Sequence, residues 1–87
     1  MAYQLVVTSA ARRGLKSLPR PVAERIVARI LALTDKPRPV DVKKLRVPGN
    51  MYRIRVGDYR IVYQILDREV VVIVVRIGHR REVDRDG

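Results

Sequence analysis

The sequence predicts a single α+β domain over residues 1–87 with the element order β-α-α-β-β-β. One twisted, four-stranded, mainly antiparallel sheet carries a helical hairpin packed on one face. Three observations predict this. Residues 51–66, MYRIRVGDYRIVYQIL, alternate apolar and polar on either side of Gly57-Asp58, the pattern of a β-hairpin with a two-residue turn. Two apolar stripes at helical spacing precede it, separated by Pro19. The unbroken β-branched run Val70–Val75 follows it and predicts a strand buried on both faces, hence central in the sheet.

Tyr3–Thr8, YQLVVT, is short and rich in β-formers and reads as the first strand. Thr8 or Ser9 then caps a helix on which Ala11, Leu15 and Leu18 recur at i, i+4 and i+7. That helix ends before Pro19, since a residue preceding proline avoids helical geometry. Pro21 suits the first turn of a second helix. Val22, Ile26, Ile30 and Leu33 line one face of it, with Ala23 and Val27 beside them, and it stops near Asp35. Lys36–Asn50, KPRPVDVKKLRVPGN, contains three prolines and a Pro-Gly pair and reads as an irregular linker.

In the hairpin, a turn at Gly57-Asp58 sets Arg55 against Arg60, Ile54 against Ile61 and Tyr52 against Tyr63. Tyr52, Ile54, Val56, Tyr59, Ile61 and Tyr63 then share the apolar face, and Arg53, Arg55 and Arg60 share the other. Like charges directly opposite on a sheet are destabilising, so facing arginines point to an anionic partner. Asp67-Arg68 turns the chain into Glu69–Ile77, EVVVIVVRI. A two-residue turn there would put Arg76 opposite Tyr59 on the helix side, so Arg76 is expected at the sheet margin or on a bulge that re-aims it. After Gly78 comes a polar tail.

The net charge is +10, and 15 of the 19 basic residues are arginine, since four are lysine. Arginine presents a planar fork of donors suited to phosphate and stays charged among other cations. Nucleic acid is therefore the leading partner class, set against a merely solvated basic surface. An acidic protein partner fits the same charge. Cysteine is absent, which excludes disulfides and thiolate chemistry, and no metal site or cofactor is expected. Nothing reads as a signal peptide or membrane span, so a cytoplasmic protein is expected. A chain this short builds one modest core and a shallow site.

The fragments LKSLP, DVKKL, YRIRVGDYRIVYQI and VRIGHRREV, in this order and at this length, resemble the RelE/ParE superfamily of bacterial toxins, most closely the RelE branch. The resemblance implies a RelE-like fold and a ribosome-dependent endoribonuclease that cuts messenger RNA in the decoding site. It implies as partners a cognate acidic antitoxin, the ribosome with its mRNA, and operator DNA reached through the antitoxin, with no membrane. Arg53 and Arg55 match the family's phosphate-binding and catalytic basic positions. Arg60 and Arg80 match active-site arginines, and His79 stands where some relatives carry a catalytic histidine and others a lysine. Many active relatives end this motif with a tyrosine, and here that place is Asp84.

Metal-free RNA cleavage needs a base for the ribose 2′-hydroxyl, cations for the developing charge, and an acid for the leaving 5′-oxygen. Arg53, Arg55, Arg60 and Arg80 suit the electrostatic role. Arginine is a poor base, with a pKa above ~12. Histidine is the one side-chain type whose ordinary pKa lies near neutrality, so His79, the single histidine, is the candidate for proton transfer, with Asp84 as an alternative base. Lys43, Lys44, Arg46 and Arg81 are candidate RNA contacts, and Lys43 and Lys44 fit a solvated loop equally well. Arg12, Arg13, Arg25 and Arg29 read as solvated helix faces that add affinity for RNA at most. Two other functions remain open: a ParE-like inhibitor of DNA gyrase without nuclease chemistry, and an inactive homologue kept for a regulatory complex.

Overall fold

A computed structural model describes residues 3–83. The elements are β1 (Gln4–Val7), α1 (Ser9–Lys16), α2 (Arg20–Leu33), β2 (Lys43–Lys44), β3 (Met51–Val56), β4 (Tyr59–Leu66), β5 (Val71–His79) and α3 (Arg80–Val83). The strands form one sheet in the order β1-β5-β4-β3-β2, with β1 parallel to β5 and every other pair antiparallel. Among the described residues no helix is long and apolar enough to cross a membrane.

The α+β class and the element order agree with the sequence, with one strand more than expected. Lys43 and Lys44, read as part of an irregular linker, pair with Arg53 and Tyr52 and form the fifth strand at the sheet edge. A very short, lysine-bearing edge strand discourages pairing with another chain. The linker before it is pinned rather than loose. Tyr63 donates a hydrogen bond to the Pro37 carbonyl (2.6 Å), and Arg38 grips Asp67 through two nitrogens (2.8 and 3.3 Å). Arg38 also donates from Nε to the Tyr52 hydroxyl, and Tyr3 donates to Asp67 (2.8 Å).

The core lies between the helices and one face of the sheet. Ile26 and Leu33 of α2 meet Ile54, Ile61, Tyr63, Ile65, Val72 and Val74, all fully buried. Burying one such aliphatic side chain is worth about 1.5–3 kcal/mol, so this cluster dominates the stability. Tyr52 and Tyr63 stack within it, in line with their expected core role. Val27, placed by the sequence beside the apolar stripe, is 39% exposed and lies outside the core. Gly14 sets the distance of α1 from the sheet, because a Cβ there would run into the Ile77 backbone carbonyl.

β5 corrects two expectations. It lies between β1 and β4, but of its β-branched run only Val72 and Val74 are buried; Val71, Ile73 and Val75 on its other side are half-buried. The turn before it spans four residues, Asp67–Val70, so Leu66 pairs with Val71. Val70 is therefore outside the strand, exposed, and at φ 58°, a rare conformation for a β-branched residue.

Candidate nucleic-acid interface

The turn at Gly57-Asp58 fixes the register that builds the cationic face. Gly57 has φ 60° and Asp58 does not share the positive φ, as in a type II′ turn with glycine at its first central position. Arg55 consequently faces Arg60, and Arg53 faces Val62, as the alternation predicts. Facing residues have Cβ atoms about 4.5–5.5 Å apart, so Arg55 and Arg60 are immediate neighbours. Arg53, two residues along the same strand face, occupies the adjacent row.

β5 completes these rows through a bulge. Tyr63 pairs with Val74 but Val62 pairs with Arg76, so β5 spends one extra residue between them. Without it Arg76 would point toward the helices. With it Arg76 is exposed on the arginine side, and one row reads Lys43, Arg53, Val62, Arg76 across four strands. The next row reads Arg55, Arg60, Gly78. The bulge is held by Thr8, whose amide donates to the Val74 carbonyl (3.0 Å) and whose hydroxyl donates to the Val75 carbonyl (2.7 Å). The same hydroxyl oxygen accepts from the Ala11 amide and so caps α1.

Burial divides the arginines. Arg53 is 5% and Arg60 6% exposed, although neither faces the hydrophobic core, while Arg55 and Arg76 are exposed. A guanidinium is rarely so covered unless other groups engage it, and both residues interact within the fold. Arg53 and Arg60 are thus held in place beside two exposed cations. Such a pairing suits one phosphate gripped from fixed and adaptable donors together.

The α3 segment brings Arg80 to the same end of the hairpin. The Arg80 amide donates to the Asp58 carbonyl of the turn (2.9 Å), and α3 packs against β4 and β5. Arg80 therefore begins beside the Arg55–Arg60 row. His79 pairs with Tyr59, on the helix side of the sheet, and its ring meets the Tyr59 ring edge-on at 5.5 Å. Its Nδ1 accepts from the Arg81 amide (3.2 Å). Arg81 is exposed on α3. Lys44 pairs with Tyr52, on the face away from Arg53, and Arg46 lies in the exposed loop beyond β2, so neither joins the arginine rows. Asp84 lies outside the described residues.

Arg76 is the member of this surface that the sequence left unplaced. Its signal was the mismatch between a polar arginine and the apolar face to which a regular register assigns it.

Known toxins share this fold. Residues 5–84 match the family described as ParE toxin of the type II toxin-antitoxin system, parDE. The chain is 33% identical over 82 residues to the mRNA interferase toxin RelE of Escherichia coli, covering 92% of this chain and 85% of that protein. It is 30% identical over 86 residues to toxin RelG of Mycobacterium tuberculosis, covering 98% and 99%. Among solved structures it is similar to the archaeal RelE–RelB complex of Pyrococcus horikoshii (TM-score 0.82, 29% identity, 92% of this chain and 97% of that one). It is also similar to the RelBE2 toxin–antitoxin complex of M. tuberculosis (TM-score 0.79, 30% identity, 92% and 100%). The chain therefore belongs to the RelE/ParE superfamily of type II toxin–antitoxin toxins.

Proposed function

We propose that this toxin is a metal-independent endoribonuclease that cleaves messenger RNA in the decoding site of the ribosome and so stops translation. The single observation carrying this reading is the pair of adjacent rows Arg55–Arg60 and Arg53–Val62–Arg76 on one sheet face, with Arg80 starting at their end. The naming of a 33%-identical relative as an mRNA interferase supports it.

In the proposed reaction the ribose 2′-hydroxyl gives its proton to solvent water as its oxygen attacks the adjacent phosphorus, and the bond to the 5′-oxygen breaks. The products are a 2′,3′-cyclic phosphate and a 5′-hydroxyl. Arg53, Arg55, Arg60 and Arg80 stabilise the charge that grows on the non-bridging oxygens, a role worth ~10²–10³ in rate for one well-placed donor. His79, at the end of β5, turns away from the Tyr59 ring on the helix side to deliver a proton to the departing 5′-oxygen. To do so it gives up the bond its Nδ1 accepts from the Arg81 amide, which is exposed and, at about 1 kcal/mol, a small cost. Lys43, Lys44, Arg46 and Arg81 add contacts to RNA outside the reacting centre. Ribosome-bound mRNA bent toward in-line attack would supply the remaining positioning.

The partners follow from the charge and from the solved relatives, which are complexes of RelE with RelB or of RelBE2. An acidic cognate antitoxin holds the toxin inactive and carries it to operator DNA. A second reading is gyrase inhibition of the ParE kind, favoured by the ParE family match and by Asp84 at the place of the usual tyrosine.

Expression without an antitoxin separates the two. Growth arrest with transcripts cut within codons is expected, and co-expression of the antitoxin should relieve it. Gyrase-linked DNA breaks with intact transcripts would replace this reading by the second, and absence of any arrest would refute both.

A further inference from the structure

A shallow groove of about 360 Å³ lies on the other side of Arg55, between α2 and the end of the β3–β4 hairpin. Its wall on α2 is Arg25, Ala28 and Arg29, and its wall on the hairpin is Arg55, Val56 and Gly57. Ala28 and Val56 give it an apolar floor, and beside Gly57 it is open. Three arginines line it. Arg29 is half-buried, and one of its nitrogens donates to both oxygens of Asp41 at 3.0 Å, which fixes its position. Arg25 and Arg55 form no ion pair among the described residues. With Arg29 offset by Asp41, the groove retains two positive charges.

We propose that this groove is a second anion site that takes a backbone phosphate of the RNA strand whose neighbouring linkage lies on the arginine face. The proposal rests on the RNA-cleaving reading above. It turns on Arg55, which lines the groove and also faces Arg60 in the cationic row. A polyanion with a charge on every nucleotide engages both surfaces by passing over Arg55. The groove already holds one carboxylate on Arg29, which leaves the forks of Arg25 and Arg55 for an oxyanion they can grip in bidentate fashion. Arg25 and Arg29 are thus more than a solvated helix face: they extend the strand's path around the hairpin tip.

The test measures binding of a short single-stranded RNA, 2′-O-methylated throughout so that it resists cleavage, across a salt series. The proteins are the wild type, Arg25→Gln, Arg29→Gln, the double variant, and Arg12→Gln as an exposed control on α1 outside the groove. Arg25→Gln and the double variant should reduce the steepness of log affinity against log salt by roughly 0.7, the single-strand value per phosphate contact, whereas Arg29→Gln, which leaves the Asp41 carboxylate uncompensated beside the groove, should lower the affinity itself. Arg12→Gln should leave the slope unchanged. In the wild type, the side-chain Nε–H resonances of Arg25, Arg29 and Arg55 should shift as RNA is added. Unchanged slopes in Arg25→Gln and the double variant, with Arg76→Gln still weakening binding, overturn the groove and spare the RNA reading. Equal losses from Arg12→Gln overturn it as generic charge. Loss of binding to an oligoglutamate peptide, with RNA binding intact, reassigns the groove to an acidic protein and overturns it too. A wild type whose RNA binding is absent or insensitive to salt removes the RNA reading itself.

Discussion

Arg76 faces Val62 across β4 and β5, on the solvent side of the sheet, because β5 carries one residue more than β4 between that pair and Tyr63–Val74. This bulge moves a cation from the helix side to the row that contains Arg53. Bulges commonly re-aim a side chain in this way. Arg76→Gln should weaken binding of uncleavable RNA and lower its salt slope by roughly 0.7, without moving the thermal midpoint, since Arg76 is exposed. Titrations at two salt concentrations together with a melt check this.

Thr8 holds that bulge and caps α1 with the same hydroxyl. Thr8→Ala removes a helix cap and a bond to the bulge carbonyl, and should cost about 1–2 kcal/mol in denaturant unfolding. Thr8→Ser, which keeps the hydroxyl, should recover most of it. RNA affinity should fall further in Thr8→Ala than in Thr8→Ser if the bulge loosens and frees Arg76.

Gly14→Ala pits two effects against each other. Replacing a helical glycine ordinarily gains about 0.5–1 kcal/mol. Here the new Cβ meets the rigid Ile77 carbonyl, so α1 must lift off β5. Overpacking of this kind typically costs about 1–3 kcal/mol, so net destabilisation is expected in urea unfolding. A more stable variant would show that α1 sits farther from the sheet.

Asp67 links the linker, β1 and the last turn, and its carboxyl is held below the usual carboxylate range, first by the Arg38 hydrogen bonds and then by Tyr3. The folded pKa is thus lower than the unfolded one, about 3.9. Its stabilisation is fully present above the unfolded value and is lost as pH falls through the folded one. Asp67→Asn should lower the thermal midpoint at neutral pH and bring it close to the wild-type value in strong acid. Melts across that acid range check the sign. The pair is half-exposed, so added salt should narrow the difference.

The arginines of the hairpin were legible in the sequence because Gly57-Asp58 fixes a register and strict alternation does the rest. The tyrosines and isoleucines of the core were legible for the same reason. Arg76 was legible only as a conflict, because its side depends on Thr8, 68 positions away in the chain. The edge strand at Lys43–Lys44 was hidden, since two residues give no periodicity and their pairing is imposed by Arg53 and Tyr52. The four-residue turn was hidden because Val70 adopts a conformation its own propensity opposes. The groove at Arg25, Arg29 and Arg55 exists only once α2 packs beside the hairpin tip, and no local pattern encodes that.

The most direct measurement is the single-turnover cleavage rate of ribosome-bound mRNA by the wild type and by Arg60→Gln, with each protein's folding verified by its melt. Arg60 lies in the row where the phosphate is proposed to sit and is fixed there by burial. A folded Arg60→Gln should cleave ~10²–10³-fold more slowly. A folded variant that cleaves at the wild-type rate would place the chemistry elsewhere on the molecule.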